Sequence, residues 1–415
     1  MNDKPNIPPL ADRRIPAGDD WLSKDEVAAL TPALLTERMR AIAPLARAHA
    51  QEAEQLRRPV DEVWNAIRRA GYFYQFVPRR FGGMETDTDS FVDATLPLAE
   101  ACSSTAWVAS FCAEHNWIFA HFPEQALAEI WKDFPYIIAP YVGIPPGKGV
   151  PVEGGYRISG HWKWGTGVMH ADWIMVSVLA ETPTGPNMLM TLFPAGEAKV
   201  LDIWRTDGMC GTGSNDIVAE DVFVPAHRAI PVLPMLSGKG PGSSLYENPL
   251  YRAPMWPFLA FTASISALGT ARGAIAQAVD RLSQHVKIGS DATQVEKPAA
   301  QMRLARADAM TMIAEQVIRS VGRDTIAAGA VPDQEQLRLR LEMRVRLAEA
   351  VRMCREAVWL LAEAAGSSIH MLDNPLQRAV RDINTISSHI VFDVDTAYEL
   401  HGRSLVGLPP NSLLT

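Results

Sequence analysis

Residue pattern changes twice along this chain, and that double change constrains the fold more than any single motif. From about Thr31 to Phe134 apolar residues recur at helical spacing. Leu34, Leu35, Met39, Ile42, Ala43 and Ala46 form one stripe, and Val60, Val63, Trp64 and Ile67 form another that stops at Gly71. Ser103 to Phe122 reads as a further apolar helix, with Ser103 or Ser104 placed to cap it. From about Tyr136 to Val232 the pattern turns to short β-branched and aromatic runs broken by Gly and Pro. Candidate strands are Tyr156–Ser159, Trp173–Leu179, Met188–Phe193 and Ile217–Val224, and Glu153-Gly154-Gly155-Tyr156 is a hairpin turn signal. Local connections of this kind suggest an antiparallel barrel or sandwich. A Pro/Gly/Ser-rich connector, Pro234 to Pro249, leads into four long helical patterns at about Pro257–Val286, Pro298–Ala328, Pro332–Ala365 and Pro375–Gly402, which suggest a bundle. Within the third, Leu337 to Leu347 alternates apolar and charged residues like a strand. Its Leu, Arg, Glu and Met are good helix formers, so it reads as a helix buried on more than one side, in the bundle or against another subunit. The plan is α+β: an N-terminal extension (1–30), an N-terminal helical domain (31–135), a central β domain (136–233), a connector (234–251) and a C-terminal bundle (252–415).

Composition narrows the partners. With 415 residues, 47% hydrophobic and 21% charged, the chain has the make-up of a soluble globular protein with a sizeable core. A formal charge of −8 without a polybasic run speaks against nucleic acid or an anionic membrane as partner. The longest uncharged stretch, Ala253 to Ala271, carries two prolines, several hydroxyls and Gly269, and reads as a buried helix start. Cys102, Cys112, Cys210 and Cys354 lack metal-ligand or CxxC spacing, so a reduced, cytoplasmic protein without a metal is expected. Pro5, Pro8, Pro9 and Pro16, with nearby charges, interrupt any signal-peptide core. No P-loop, GxSxG or GxGxxG appears.

The chemistry-bearing segments are three. One is the polar run Gly160-His161-Trp162-Lys163-Trp164-Gly165-Thr166-Gly167, followed by His170-Ala171-Asp172-Trp173. The second is Ser103-Ser104-Thr105-Ala106-Trp107-Val108 with Glu114-His115-Asn116-Trp117, and the third is Arg381-Asp382-Ile383-Asn384 with Ser387-Ser388-His389. On pattern alone Thr166 is an ordinary strand threonine and each histidine a hydrogen-bonded core residue. His121, His170 and His401 lack comparable context and read as structural, and Trp117, Trp162 and Trp173 as core.

Together with Asp207-Gly208-Met209-Cys210-Gly211-Thr212-Gly213-Ser214-Asn215-Asp216, leading into Val222-Phe223-Val224-Pro225, these segments resemble the acyl-CoA dehydrogenase superfamily from about Thr31 to Gly407. The Ser-Thr-x-Trp segment with a histidine eight residues after Trp107, and the late Arg-Asp…His, are similar to the flavin-dependent monooxygenase branch, the oxygenase components of two-component systems. The resemblance implies reduced FMN or FAD supplied by a separate NAD(P)H-dependent flavin reductase. It also implies molecular oxygen as co-substrate, a C4a-hydroperoxyflavin, hydroxylation of a phenolic or indolic ring, and a homotetramer. It gives Thr166 a flavin N5 contact and Trp107 and Trp164 the apolar walls. Gly167, Thr212 and Ser214 become flavin contacts, His115 activates the arene, and His389 is a second donor or the proton source for the distal oxygen. Arg272 and Lys287 are possible phosphate partners, though a solvated helix charge is the simpler reading of both. An unperturbed phenol has a pKa of about 10, so ionising it near pH 7.5 requires roughly 3 kcal/mol of stabilisation. The chain departs from the pattern at Ala106, Cys210 and Thr166. It lacks a carboxylate base both in Trp256–Ile265 and in the late loop, where a dehydrogenase would carry one. An acyl-CoA dehydrogenase acting on a thioester is the alternative, and a scaffold without activity a third reading.

Overall fold

A computed structural model of the chain describes residues 21–284 and 293–412. Most of the expected N-terminal extension, and Lys287, lie outside the described residues. Helices α1 (Lys24–Ala28), α2 (Pro32–Ala48), α3 (Ala50–Leu56), α4 (Asp61–Ala70), α5 (Thr88–Ala101), α6 (Ser103–Phe119) and α7 (Glu124–Trp131) precede the sheet. Several starts have local causes. Ser23 and Glu26 close a capping box on α1, Thr31 accepts from the Leu34 amide ahead of α2, and Asp87 accepts from the Ser90 amide at α5. Helix α4 ends at Gly71 with φ +93°, a left-handed conformation glycine enters without a Cβ clash. Leu35, Met39, Ala46, Val63, Trp64 and Ile67 are buried as their spacing predicts.

Helix α6 begins differently from expectation. Cys102 is its N-cap residue and no side chain caps it. Ser103 instead bonds the Thr270 hydroxyl at 2.8 Å and Ser104 approaches Met209 Sδ at 3.8 Å. The reason is burial: α6 is surrounded along almost its whole length, so its first-turn hydroxyls meet protein rather than their own amides.

Strands β1 (Tyr141–Val152), β2 (Gly155–Trp162), β3 (Trp173–Thr182), β4 (Gly185–Pro194), β5 (Lys199–Leu201), β6 (Asp216–Pro225) and β7 (Ala229–Pro231) form one sheet in the order β5-β6-β2-β1-β3-β4-β7. The four candidate strands are β2, β3, β4 and β6. The hairpin turn is present, with Val152 opposite Gly155 and Gly154 at φ +80°. The expected all-antiparallel arrangement is corrected in one pair: β1 runs parallel to β3, so the sheet is mixed. β1 escapes sequence reading because it is rich in Gly and Pro, and packing demands the glycine at its centre. A Cβ on Gly147 would lie 2.4 Å from the Trp162 ring. After β2 the chain makes the excursion 163–172 before returning on the far side of β1, and that excursion is the polar run.

Helices α8 (Val232–Met235), α9 (Met255–Gln284), α10 (Pro298–Ala328), α11 (Asp333–Ala364), α12 (Pro375–Ser387) and α13 (Val394–Leu405) complete the described residues. α9 is long and apolar enough to cross a membrane, but 89% of its most apolar stretch is buried inside this fold. The alternating segment is helical within α11, with Leu341, Met343, Arg344 and Leu347 buried. The expected fourth bundle helix is two helices, broken by a 3₁₀ turn at Ile390–Phe392. Two side chains hold the break: Arg344 donates to the Ile390 carbonyl at 3.0 Å, and Asp393 accepts from the Thr396 amide at 3.2 Å to start α13. His389 is the N-cap residue of that 3₁₀ turn.

Candidate active site

Trp107, Phe111 and His115 recur every four residues and therefore share one face of α6. The Trp107 ring stacks on Phe111 with centroids 4.6 Å apart. His389 meets this face edge-on, 5.4 Å from Trp107 and 6.2 Å from Phe111, while His115 lies 5.9 Å from Phe111 on the same face. Two histidines far apart in sequence are thus neighbours of one phenylalanine. Tyr141, the first residue of β1, faces His115 at 6.4 Å and shares a hydrogen bond with Ser177. Neither Phe111 nor Tyr141 stands out in the sequence, although the four-residue spacing from Trp107 and His115 marks Phe111.

The two imidazoles are held in complementary tautomers. His115, 2% exposed, places Nδ1 2.5 Å from the Ala139 carbonyl, so Nδ1 carries the proton and Nε2 is left as an acceptor. His389 accepts from the Val391 amide at Nδ1, 3.5 Å away, which leaves its Nε2 as a donor. Burial pushes both down to about 4, against the modest opposing effect of the Ala139 bond on His115, so both are neutral at pH 7.

His121, which packs on Trp117 and is likewise pushed down to about 4 by burial, links protonation to folding. Its folded value lies below the unfolded one of about 6.5, so the unfolded chain binds the proton first. Stability from this group is complete above pH 6.5 and is lost as pH falls towards 4. Between pH 7.5 and pH 5 a His121→Gln variant is expected to gain roughly 2 kcal/mol relative to wild type, as measured by denaturant unfolding at the two pH values.

The polar run packs against α6 as well. β2 ends at Trp162, so the run is not a strand beyond that point. Gly167, at φ +91°, packs onto α6: an added Cβ would meet Cys112 Sγ at 2.8 Å, one residue after Phe111. The buried Thr166 hydroxyl lies 2.9 Å from Ser214 Oγ; Ser214 donates to Thr212 Oγ1 at 3.0 Å, and Thr212 donates to the Met209 carbonyl at 2.9 Å. Since Ser214 gives its proton to Thr212, Thr166 must give its own to Ser214, and Thr166 Oγ1 keeps free lone pairs. Thr166, Gly167, Thr212 and Ser214 are therefore one connected group. Trp107 is buried on the α6 face, stacked on Phe111. Trp164 does not form an apolar wall within the chain: it is 63% exposed, with φ +65°. Its amide donates to Asp216 Oδ1 at 3.1 Å, and the other Asp216 oxygen is 2.7 Å from His161 Nε2. This anchoring turns the indole outward. Such a backbone conformation is uncommon for a bulky residue and marks positions held for a purpose.

Helix α12 clasps the loop that carries Thr212 and Ser214. Asp382, buried and pushed up to about 6 by desolvation, accepts from the Met209 amide at 2.7 Å. Arg381 reaches Glu54 and the Asp207 carbonyl. Helix α12 thus both fixes that loop and, at its end, delivers His389. Arg272 pairs with Glu315 and lies 3.5 Å from Glu100, as a helix charge does. Cys210 Sγ donates to the Thr206 carbonyl at 3.0 Å. Among the described residues no group of three or more His, Cys, Asp or Glu could hold a metal ion.

The family model described as acyl-CoA dehydrogenase, C-terminal domain, matches residues 261–394. The pigment production hydroxylase of Rhodococcus sp. (strain ATCC 21145) is 35% identical over 92% of this chain and 98% of its own length. The FADH(2)-dependent resorcinol hydroxylase, oxygenase component, of Rhizobium sp. (strain MTP-10005) is 32% identical over 91% of this chain and 95% of its own. The crystal structure of 3-HSA hydroxylase from Rhodococcus sp. RHA1 superposes with a TM-score of 0.85 at 30% identity, covering 92% of this chain and 99% of that one. With a helical domain, a central sheet and a bundle matched end to end at this identity, the chain belongs to the flavin-dependent monooxygenases, oxygenase components built on the acyl-CoA dehydrogenase fold.

Proposed function

We propose that this enzyme hydroxylates a small phenolic or indolic ring, using molecular oxygen and reduced FMN or FAD delivered by a separate NAD(P)H-dependent reductase. The observation that carries the reading is the meeting of His115 and His389 around Phe111; the Thr166–Ser214–Thr212 hydroxyl chain belongs to the segment that packs on α6 at Cys112 through Gly167. Bound reduced flavin supplies the oxygen activation. Thr166 Oγ1, having given its proton to Ser214, would accept from a ring N–H such as flavin N5, and Gly167, Thr212 and Ser214 would help hold the flavin. His115 Nε2 is the acceptor that takes the proton of the arene hydroxyl; His389 Nε2–H is the donor that steadies the resulting oxygen or protonates a leaving oxygen. Trp107 and Phe111 keep water from this chemistry, which strengthens each of these hydrogen bonds.

The alternative, thioester dehydrogenation, needs a carboxylate base. Met255–Ile265 at the start of α9 holds no acid, and Asp393 in the late turn is engaged with Thr396. Incubation with photoreduced flavin, oxygen and a panel of phenols and indoles is expected to yield hydroxylated product. Oxidation of acyl-CoA thioesters alone, with an electron acceptor, would overturn this reading in favour of the dehydrogenase.

Removing the Thr166 hydroxyl deletes one hydrogen bond worth about 1 kcal/mol, close to a fivefold effect on partition. Thr166→Ala is therefore expected to raise the ratio of hydrogen peroxide to product about fivefold, measured by peroxidase-coupled assay beside chromatography of the product. We further infer that the enzyme is a cytoplasmic homotetramer. Exposed Trp359 on α11 and Tyr398 and Leu405 on α13, with Val406 just beyond it, support an apolar face covered by another copy.

A further inference from the structure

Helix α6 buries one carboxyl group that the chemistry above leaves unused. Glu114 is 1% exposed; its Oε1 lies 3.6 Å from His115 Nε2, and its Oε2 has no hydrogen-bond partner among the described residues. Buried polar atoms are almost always bonded, and an apolar residue would fill the space without desolvating a carboxyl. Burial holds this group well above the usual carboxylate range, which favours its protonated form. The separation from Nε2 is informative. At 3.6 Å, Oε1 lies just beyond hydrogen-bond length from a nitrogen that carries no hydrogen until His115 is charged.

Resting on the aromatic-hydroxylation reading, we propose that Glu114 is a positioning residue: an acceptor that awaits the Nε2–H formed when His115 takes the arene proton. In that step the arene O–H bond breaks, the Nε2–H bond forms, and Glu114 keeps its own proton. The new N–H then has Oε1 as an acceptor in addition to the arene oxygen, which offsets the burial that otherwise opposes a charged imidazole. Around the pair, Tyr72 and Cys112 are kept neutral by burial, with Arg68 and Asp172 acting on Cys112 from further off. Tyr141 faces His115 from β1, and His389 stands across Phe111.

The test is the ionisation of 4-nitrophenol bound to the full-length enzyme, followed by its phenolate absorbance against pH. Wild type is expected to bind the probe and ionise it more readily than water does. Glu114→Gln, whose amide oxygen accepts in the same way, is expected to match wild type. Glu114→Leu and Glu114→Met, two apolar replacements in case one disturbs packing, are expected to weaken ionisation of the bound probe about tenfold. Wild-type ionisation in both apolar variants, or an equal loss in Glu114→Gln, would overturn the role of Glu114 while leaving the hydroxylase reading intact. Failure of the wild type itself to bind the probe, or to ionise it any more readily than water does, would instead count against the aromatic site.

Discussion

His115→Ala and His389→Ala are expected to consume reduced flavin and oxygen at close to the wild-type rate while releasing hydrogen peroxide in place of hydroxylated product. The size of the effect follows from the phenol. Ionising a group of pKa about 10 near pH 7.5 needs roughly 3 kcal/mol, equivalent to about a hundredfold in rate if one imidazole supplies it. His115 offers the acceptor nitrogen and His389 the donor, so losing either breaks a different half of the arrangement. The deletion at His115 also strands the Ala139 carbonyl, a cost of about 1–3 kcal/mol in stability. Melting temperature must therefore be measured beside turnover. Wild-type product yields from both variants would remove the histidines from the reaction.

Gly208→Ala is expected to weaken reduced-flavin binding at least tenfold and to lower stability by about 1–3 kcal/mol, the range for overpacking. A Cβ at position 208 would lie 2.1 Å from the Arg381 carbonyl oxygen and 2.5 Å from Thr385 Oγ1, so the loop must lift from α12. That movement breaks the Met209 amide bond to Asp382 and with it the setting of Thr212 and Ser214. Gly402→Ala is the matched control. It sits in α13 with no atom within 4 Å of an added Cβ, and should be neutral or slightly stabilising. Fluorescence titration under anaerobic conditions checks both, and equal affinities would show that the clasp does not shape the flavin site.

Period-based features were legible in the sequence wherever one face had to be buried. The stripes of α2 and α4, the candidate strands and the long bundle helices all follow from that demand. β1 was hidden because its fit to Trp162 is made with glycine, which carries no periodic signal. The break between α12 and α13 was hidden because it depends on Arg344, over forty residues away, reaching the Ile390 carbonyl. At the site, residue types marked His115, His389 and Thr166, but not what separates them. Phe111 between the histidines, the hydroxyl relay that orients Thr166 and the idle carboxyl of Glu114 are products of tertiary contact. Trp164 shows the converse: its residue type suggested a wall, whereas Asp216 fixes its backbone so that the indole points outward.

A crystal structure of the enzyme holding flavin together with a phenolic ligand tests the central claim most directly. The account predicts the phenol oxygen within hydrogen-bond reach of His115 Nε2 or His389 Nε2, with the flavin N5 edge against the Thr166 hydroxyl. A ligand seated away from the Phe111 face, or a flavin ring remote from Thr166, would contradict it.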